Sequence, residues 1–285
     1  MDSHVWRVIY QKIRDVDRRI PRCGRRPRYA DTLIVAMYLW SVAHDRPLCW
    51  ACARQNYSSC FRPRQLPSVS QFCKRIKTER CDKILQAVHE QLGHLEWMSE
   101  VSYVDGRALP VGANTTDPDA RAGRAPGGFA RGYKLHVWAT EDGRIPVWSL
   151  VPLNVNEKPV AHELLRYQMA DGLVLADGEY DSRALYDQID ADGGHFLCPP
   201  PKNAGKGHVV QSAARNRAIE AWRGIAGYVY RRRWSVERIL ANISGFGGGL
   251  TGLPPWVRTL PRVRRWVGAK LLIYHARWNL RKGVA

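Results

Sequence analysis

Residues 172–178 read GLVLADG, an apolar run that ends in an Asp-Gly pair, and residues 101–106, VSYVDG, have the same form. Apolar runs of this length closed by a turn signal predict β-strands. The carboxyl ends of parallel strands face the functional crevice of an α/β sheet, so neighbouring strands would bring Asp105 and Asp177 together there. Two carboxylates held close repel each other, and a divalent ion such as Mg²⁺ relieves that repulsion.

Other acidic residues near these strands have simpler interpretations. Of the three further Asp-Gly pairs, the one at 142 is predicted to form a hairpin turn, and those at 171 and 192 are predicted to close helices. Glu179 and Asp181 could take the place of Asp177, but they lie beyond the predicted strand end. Asp105 and Asp177 are therefore the candidates for metal ligands.

The elements around the two strands predict a mixed α/β domain. Residues 134–152 and 195–200 have strand patterns, and the first of these contains a hairpin at Asp142-Gly143. Helical patterns at 159–170 and 182–194 separate the later strands, which indicates a parallel part of the sheet. Residues 111–132 and 200–214 are predicted to be loops.

The N-terminal third is predicted to be helical over residues 29–98. Pro47 ends a long apolar helix, and Ser68 and Gln71 form a capping-box pattern before a later helix. Two short helices followed by this capped one suggest a small all-helical, helix-turn-helix-like DNA-binding domain over residues 1–98. An ordinary helical bundle fits the pattern nearly as well. The candidate DNA contacts of this region are Lys74, Arg75 and Lys77.

The charge of the chain is uneven. The net charge is +18, of which residues 1–100 carry +8, residues 101–214 carry −3 and residues 215–285 carry +13. A basic head and tail around an acidic middle indicate a polyanionic partner, while a merely solvated basic surface is the alternative.

The stretch 230–245, YRRRWSVERILANISG, places one carboxylate among four arginines. At about 100° per residue, Tyr230, Arg233, Glu237 and Ser244 fall on one face of a helix, beside a buried apolar stripe. A surface Glu–Arg pair at i, i+4 would stabilise the helix only weakly. With two acids already at strand ends, we interpret Glu237 as the third metal ligand.

These residues resemble those of DDE transposases of bacterial insertion sequences. The group is marked by Tyr-x2-Arg-x3-Glu-x6-Lys, in which Tyr230, Arg233 and Glu237 match and Ser244 stands at the Lys position. The blocks VDGRALPVG, GRAPGGFARGYKLH, LADGEYDS and RRRWSVERIL are also similar to blocks of that group. The resemblance covers about residues 101–280.

The resemblance implies an RNase H-like catalytic domain over residues 99–285, with basic C-terminal helices and Asp105, Asp177 and Glu237 as catalytic, metal-binding acids. It implies two Mg²⁺ ions, replaceable by Mn²⁺, that serve phosphodiester hydrolysis and strand transfer. A large β insertion before Glu237 is not expected, because only residues 178–236 separate it from Asp177. Ser244 in place of Lys removes one expected phosphate contact.

The resemblance also implies double-stranded DNA as the partner, as terminal inverted repeats and as target, with a homodimer holding two ends. Phosphate contacts are expected from Arg233, Lys134 and the Arg-rich tail. Trp234 and Tyr230 could stack on an unpaired base, although core packing is the favoured interpretation of Trp234. His136 and His162 are interpreted as structural. The expected DNA contacts of the catalytic region are Lys134, Tyr230, Arg231, Arg233, Trp234 and Arg238.

Two other functions remain open. A catalytically inactive DNA-binding relative would use the same basic surfaces, and a metal-dependent nuclease without joining activity would use the same acids. The presence of all three acids argues against an inactive relative.

Composition sets the remaining expectations. No apolar run reaches the roughly 20 residues of a membrane-spanning helix, and the N-terminus lacks the pattern of a signal peptide, so we expect a cytoplasmic, nucleoid-associated bacterial protein without membrane contact. Cys49 and Cys52 could form half of a zinc site, but a second pair of ligands is missing from the sequence. Buried reduced thiols are the favoured interpretation.

Overall fold

The computed structural model describes residues 2–22, 24, 27–93, 99–112, 114–202 and 212–284. The chain divides into two compact units. We call residues 1–94 with 243–285 the helical unit, and residues 95–242 the sheet unit.

The order of elements is a helical region followed by an α/β region, as expected. The helices are α1 (Ser3–Arg19), α2 (Asp31–Ala43), α3 (Val69–Arg75), α4 (Glu79–Gly93), α5 (Glu157–Leu165), α6 (Arg183–Ala191), α7 (Ala213–Ala221), α8 (Ala226–Tyr230), α9 (Trp234–Ser244) and α10 (Leu260–Lys282). The strands are β1 (Val101–Pro110), β2 (Arg121–Ala125), β3 (Gly128–Thr140), β4 (Val147–Pro152), β5 (Leu173–Ala176) and β6 (His195–Leu197). Short 3₁₀ turns occupy Leu48–Cys52, Arg54–Asn56, Gly178–Tyr180 and Arg231–Arg233.

The helical unit is built around α10, which is buried along most of its length. Its Lys270 is almost wholly buried and donates to the carbonyl oxygens of Val42 at 2.8 Å and Gly248 at 2.9 Å, and to the Asp45 carboxylate at 2.6 Å. A buried ammonium group requires hydrogen-bond partners, and these come from the end of α2 and from the loop before α10. Lys270 therefore joins both segments to α10.

The N-terminal expectations are confirmed in part. The long apolar helix is α2, and the capping box of Ser68 and Gln71 is formed at the start of α3. The capped helix is shorter than predicted, because α3 ends at Arg75 and Lys77 lies in the turn before α4. Helix α1 was not predicted, although its buried residues recur at helical spacing: Val5, Trp6, Ile9, Ile13 and Val16.

The sheet unit contains one mixed sheet in the order β2-β3-β1-β5-β6, with β4 also paired to β3. Strands β1, β2 and β4 run antiparallel to β3, whereas β5 and β6 continue the sheet in parallel with β1. The hairpin at Asp142-Gly143 joins β3 to β4, as predicted, and Gly143 has the positive φ of 99° that such a turn needs. The predicted fold class, a mixed sheet with flanking helices after a helical N-terminal region, is confirmed.

The loop predicted at 111–132 is wrong over its second half. Residues 121–125 form β2, and β3 already begins at Gly128. The glycine-rich composition hid this hairpin because glycine weakens a strand pattern. A Cβ atom at Gly123 would lie 2.5 Å from the carbonyl oxygen of Leu153, so the close approach of two backbones requires glycine in this strand.

Two further boundaries differ from the sequence pattern. Helix α5 spans Glu157–Leu165 instead of 159–170, because the side chain of Asn156 caps it and starts it earlier. Of the loop predicted at 200–214, residues 203–211 lie outside the described residues and α7 begins at Ala213. Between Asp177 and Glu237, β6 is the one strand within the described residues, as expected without a large β insertion.

The division into units differs from the boundary at residue 98. Residues 243–285 contact the N-terminal helices, whereas the sequence assigned them to the same domain as the sheet. The functional meaning of both assignments, DNA binding for 1–98 and catalysis for 99–285, stays a prediction.

Candidate active site on the mixed sheet

The register of β1 and β5 brings Asp105 and Asp177 side by side. These strands pair in parallel from Val101 opposite Leu173 to Val104 opposite Ala176, so each aspartate is the next residue on its strand. Asp177 follows the end of β5, as predicted. Asp105 does not end its strand, because β1 continues to Pro110 by pairing with β3.

Local backbone groups orient both carboxylates. The Gly106 amide donates to Asp105 Oδ1 at 2.8 Å, and the Glu179 amide donates to Asp177 Oδ1 at 3.0 Å. Each aspartate therefore has one carboxylate oxygen held by a backbone amide of its own segment.

Glu237 reaches this place from α9. The apolar stripe of this helix is buried at Val236 and Ile239, and Arg107 of β1 donates to the Leu240 carbonyl oxygen at 2.8 Å. The side chain of Glu237 is 57% exposed. The helix ends at Ser244 before the glycine-rich segment, as predicted.

One guanidinium group contacts all three acids. Arg233 Nη2 lies 3.3 Å from Asp105 Oδ1 and 3.9 Å from Asp177 Oδ2, and its Nη1 lies 3.6 Å from Glu237 Oε1. We call Arg233 with Asp105, Asp177 and Glu237 the carboxylate cluster. The structure thus brings the three predicted acids to one cation, and Arg233 and Glu237 are on the same side of the helix as the spacing predicted.

Burial perturbs the two aspartates. Burial raises the pKa of Asp105 to about 6, against the opposing effect of the Arg233 charge. The pKa of Asp177 is also raised, first by burial and then by the charge of Glu157. At both aspartates the cost of burying the charged form therefore outweighs the favourable charge of the arginine.

A second group of polar side chains adjoins the cluster. Lys134 of β3 forms an ion pair with Glu157 at the start of α5, and both side chains are largely buried. His136 Nδ1 lies 3.0 Å from the Tyr180 hydroxyl, and burial lowers the pKa of His136 to about 4. Although burial would raise it, the bond from Lys134 lowers the pKa of Glu157, so the pair is charged.

Gly106 leaves the space that this second group needs. A Cβ atom there would lie 3.1 Å from Lys134 Cδ and 3.4 Å from the Tyr180 hydroxyl. The role of Glu157 was missed from the sequence. An acidic residue directly after the helix-capping Asn156 was the available signal, but it does not distinguish a helix start from a site residue.

The chemistry of the three acids fits a divalent metal ion, although they do not form a ready-made cage. Within the described residues, no group of three or more His, Cys, Asp or Glu side chains is gathered as a metal site. The donors are nevertheless carboxylate oxygens, which hard cations such as Mg²⁺ prefer. A cationic group, the Arg233 guanidinium, already lies among them, and its buried Nε has no hydrogen-bond partner in the described part of the chain.

The expected DNA contacts fall into two sets. Lys134 and Arg233 are held by the carboxylates described above, and Arg75 pairs with buried Asp31. The side chains exposed to solvent, by contrast, are Lys74, Lys77, Arg231, Trp234 and Arg238. Half-buried Tyr230 packs against Trp222, with ring centroids 5.1 Å apart.

Core packing is the wrong interpretation of Trp234. Its side chain is 74% exposed at the first residue of α9. Within α9, Trp234 lies about 140–180° round the helix from buried Val236, Ile239 and Ile243, so the regular helical spacing itself places it opposite the buried stripe.

The cysteine and membrane expectations have separate outcomes. Cys81 and Cys198 are buried free thiols, whereas Cys49 and Cys60 are exposed, so burial of all the thiols is the wrong interpretation.

No helix in the described parts of the chain is long and apolar enough to cross a membrane.

Comparisons with known proteins were made for both the sequence and the fold. The sequence profile of the family described as transposase DDE domain matches residues 96–274, more than half of the chain. The structure is similar to a cryo-EM structure of a piggyBac transposase synaptic complex with hairpin DNA, with a TM-score of 0.50 and 9% identity over 100% of this chain and 74% of that chain. At this identity the likeness shows the fold alone. A sequence comparison with curated proteins finds no match.

Proposed function

The chain belongs to the transposase DDE domain family, and from this membership we propose that it is the transposase of an insertion sequence, which cuts the ends of its element and joins them to target DNA. Enzymes of this family cleave nucleic acid and generally use divalent metal ions. The finer assignment, to DNA ends and strand transfer, is the proposal.

The observation that supports this function most strongly is the carboxylate cluster. Asp105, Asp177 and Glu237 come from a strand, a strand end and a helix that are far apart in sequence, yet all lie within 4 Å of one guanidinium group. We propose that these three acids are the catalytic residues and hold two Mg²⁺ ions, which Mn²⁺ can replace. When bound, such ions activate water or a DNA 3′-hydroxyl and stabilise the leaving oxygen of an in-line displacement.

The residues of the chain have distinct roles in this proposal. Asp105 is fixed within β1 and provides the least mobile carboxylate. Glu237 is mostly exposed and can adjust its position from α9. Arg233 holds the three acids together before DNA binds, and in the bound state its guanidinium can turn to a phosphate, for which its planar fork is suited.

Lys134 and Glu157 support the cluster from the side of β3. Their ion pair keeps an ammonium group near Asp177, whose pKa the Lys134 charge acts to lower, without leaving a buried charge unpaired. Lys134 can then contact a DNA phosphate while Glu157 fixes the direction of its side chain.

The partner proposed is double-stranded DNA, as terminal inverted repeats and as target, bound by a homodimer in the bacterial cytoplasm. The net charge of +18 supports a polyanionic partner. The similar solved structure is a transposase synaptic complex with DNA, which supports an assembly that holds two ends.

A supercoiled plasmid that carries the DNA flanking the gene on both sides, where this function requires inverted repeats, tests the proposal. We expect Mg²⁺ or Mn²⁺ to give cleavage at the repeats and joined products, and Ca²⁺ to support binding with little cleavage. Cleavage without joined products would favour the metal-dependent nuclease, and binding without cleavage would favour the inactive relative. Full activity in excess chelator would contradict the proposed chemistry.

A further inference from the structure

A cationic cleft lies in the helical unit and shares no residue with the carboxylate cluster. It encloses roughly 70 Å³ and is lined by Arg46 after α2, Lys77 before α4, and Arg262 and Arg265 in the first turns of α10. Aromatic rings complete its walls, among them Trp256. Segments separated by up to about two hundred residues in sequence therefore bring four cations to one cleft.

Most of this positive charge is uncompensated. Arg265 forms a two-bond ion pair with Asp82, at 2.8 and 3.1 Å. In the parts of the chain that the structure describes, Arg46, Lys77 and Arg262 have no ion pair, and Asp45 beside Arg46 is already bound to Lys270. Three like charges around one cleft repel each other, so an anion bound there would lower the electrostatic energy.

The size and walls of the cleft suit a phosphate group. A water molecule needs about 10–15 Å³ of such space, so the cleft has room for several waters or for one phosphate. Trp256 is 41% exposed at its edge, whereas Tyr38 and Trp266 are buried in its wall. Fixed rings exclude water from one side, which strengthens hydrogen bonds between arginine and phosphate oxygens.

We infer that this cleft binds a backbone phosphate of DNA, with Trp256 against the adjoining sugar or base. The inference rests on the proposed function and assigns to the helical unit a defined phosphate site. It gives Lys77 a role in DNA binding that Arg75 does not share, because the nearby Arg75 forms an ion pair with buried Asp31.

Cys73 lines the cleft and provides a reporter in the unaltered protein. We expect a saturating non-specific DNA duplex, with binding followed by fluorescence anisotropy, to slow alkylation of Cys73 by iodoacetamide several-fold. Alkylation of exposed Cys60, which is not part of the cleft, should keep its rate. Site-resolved mass spectrometry measures both rates in one sample, and an unchanged Cys73 rate at saturating DNA would overturn the inference.

Charge removal provides the second arm. The double variant Lys77→Gln/Arg262→Gln should bind the duplex more weakly, and the slope of log Kd against log salt should fall by about two contacts. The matched control Arg7→Gln/Arg14→Gln removes two charges from the exposed face of α1 and should change that slope less. If the two double variants change the salt slope equally, the cleft contributes no more than the general basic surface, and the inference is overturned.

Inorganic phosphate distinguishes a DNA site from a site for free anions. Protection of Cys73 by millimolar phosphate but not by DNA would overturn the inference in favour of a small-anion site. If metal-dependent cleavage is normal but DNA does not protect Cys73, the phosphate site in the cleft is overturned and the proposed function is not. If DNA protects Cys73 but no cleavage occurs, the phosphate site is supported and the result counts against the proposed catalytic function.

Discussion

Two clusters of charge in this molecule have opposite composition. In the helical unit, buried Asp31 receives ion pairs from Arg22 at 3.1 Å, from Arg80 at 3.0 Å and from Arg75. In the sheet unit, Arg233 lies among three carboxylates. The first cluster has three arginines around Asp31, two of which also pair with Asp17, whereas the second has one arginine among three acids.

The difference separates a structural cluster from a candidate functional one. The side chain of Asp31 is 3% exposed and each of its oxygens has a close cationic partner, so the cluster needs no further ligand. The distances around Arg233 are longer, from 3.3 to 3.9 Å, and burial raises the pKa of two of its acids. Three carboxylates around one loosely placed cation leave negative charge that a bound metal ion would neutralise.

The largest expected effect is on cleavage. Glu237→Gln keeps size and helix propensity but removes a proposed metal ligand, so cleavage should fall by about a thousandfold or more, equivalent to about 4 kcal/mol. DNA binding should survive or tighten, because a negative charge near the phosphates is lost. Asp105→Asn and Asp177→Asn should behave alike, and double variants should be no worse than single ones.

Arg238→Gln is the matched control for this prediction. It is next to Glu237 in sequence but about 100° away around α9, and it is exposed. Binding should weaken modestly with a salt slope lower by about one, while bound complexes still cut. Near-parental cleavage by Glu237→Gln would show that its carboxylate is only the surface partner of Arg233.

The next effect is on stability and belongs to the other cluster. Asp31→Asn leaves three arginines around a buried neutral group, so the free energy of unfolding should fall by about 3–5 kcal/mol. Urea unfolding followed by circular dichroism measures it. The control Asp15→Asn removes an acid whose partner Arg18 is mostly exposed, and should cost at most about 1 kcal/mol. Similar values for both variants would mean that the Asp31 cluster does not stabilise the helical unit.

A smaller and reversible effect is expected at Arg233. Arg233→Gln should lower the unfolding free energy of the metal-free protein by about 1–3 kcal/mol, because three carboxylates lose their cation. Saturating Ca²⁺ should bind the folded state and reduce the difference in unfolding free energy between Arg233→Gln and the parent. The difference between Asp31→Asn and the parent should stay the same, because that variant keeps the same carboxylate cluster as the parent. Thermal melting with and without Ca²⁺ tests this, and an equal deficit of Arg233→Gln under both conditions would contradict a metal site at the cluster.

The smallest effect is a difference in pH dependence. The folded pKa of Asp105, about 6, lies above its ordinary value of 3.8, so its contribution to stability is greatest at low pH and is lost as pH rises through about 6. Burial lowers the pKa of His89 in the helical unit to about 4, so its contribution is present above 6.5 and is lost as pH falls toward 4. Subtracting the unfolding curves of Asp105→Asn and His89→Gln from the parent curve, in chelator, should give slopes of opposite sign. Slopes of the same sign would contradict these pKa shifts.

The sequence was sufficient to predict which acids meet, because their placement depends on local signals. Asp105 and Asp177 each follow a short apolar run, and Arg233 and Glu237 are one helical turn apart. The sequence did not reveal that β1 passes beyond Asp105, since that depends on the length of its antiparallel partner β3. The catalytic roles of these acids stay predictions.

Most of the features that were missed depend on contacts between distant segments. Lys134 pairs with Glu157 across 23 residues, and no local pattern marks such a pair. In β2, Gly123 is required because the backbone of Leu153 lies against it, and no local pattern reveals that approach. Trp234, by contrast, lies opposite the buried stripe of α9, so its exposure follows from the helical spacing that the core interpretation overlooked.

The helical unit is assembled from both ends of the described chain, and this has a consequence for the order of folding during synthesis. The ribosome makes residues 1–94 first, but their central helix α10 emerges only after the whole sheet unit. Contacts between segments so distant in sequence form late, because closing a long loop costs entropy. We expect a fragment ending at residue 242 to have a protease-resistant sheet unit and a rapidly digested N-terminal region, and limited proteolysis of the fragment and of the full chain would show the difference. A new chain would thus complete its sheet unit before its N-terminal helices are folded.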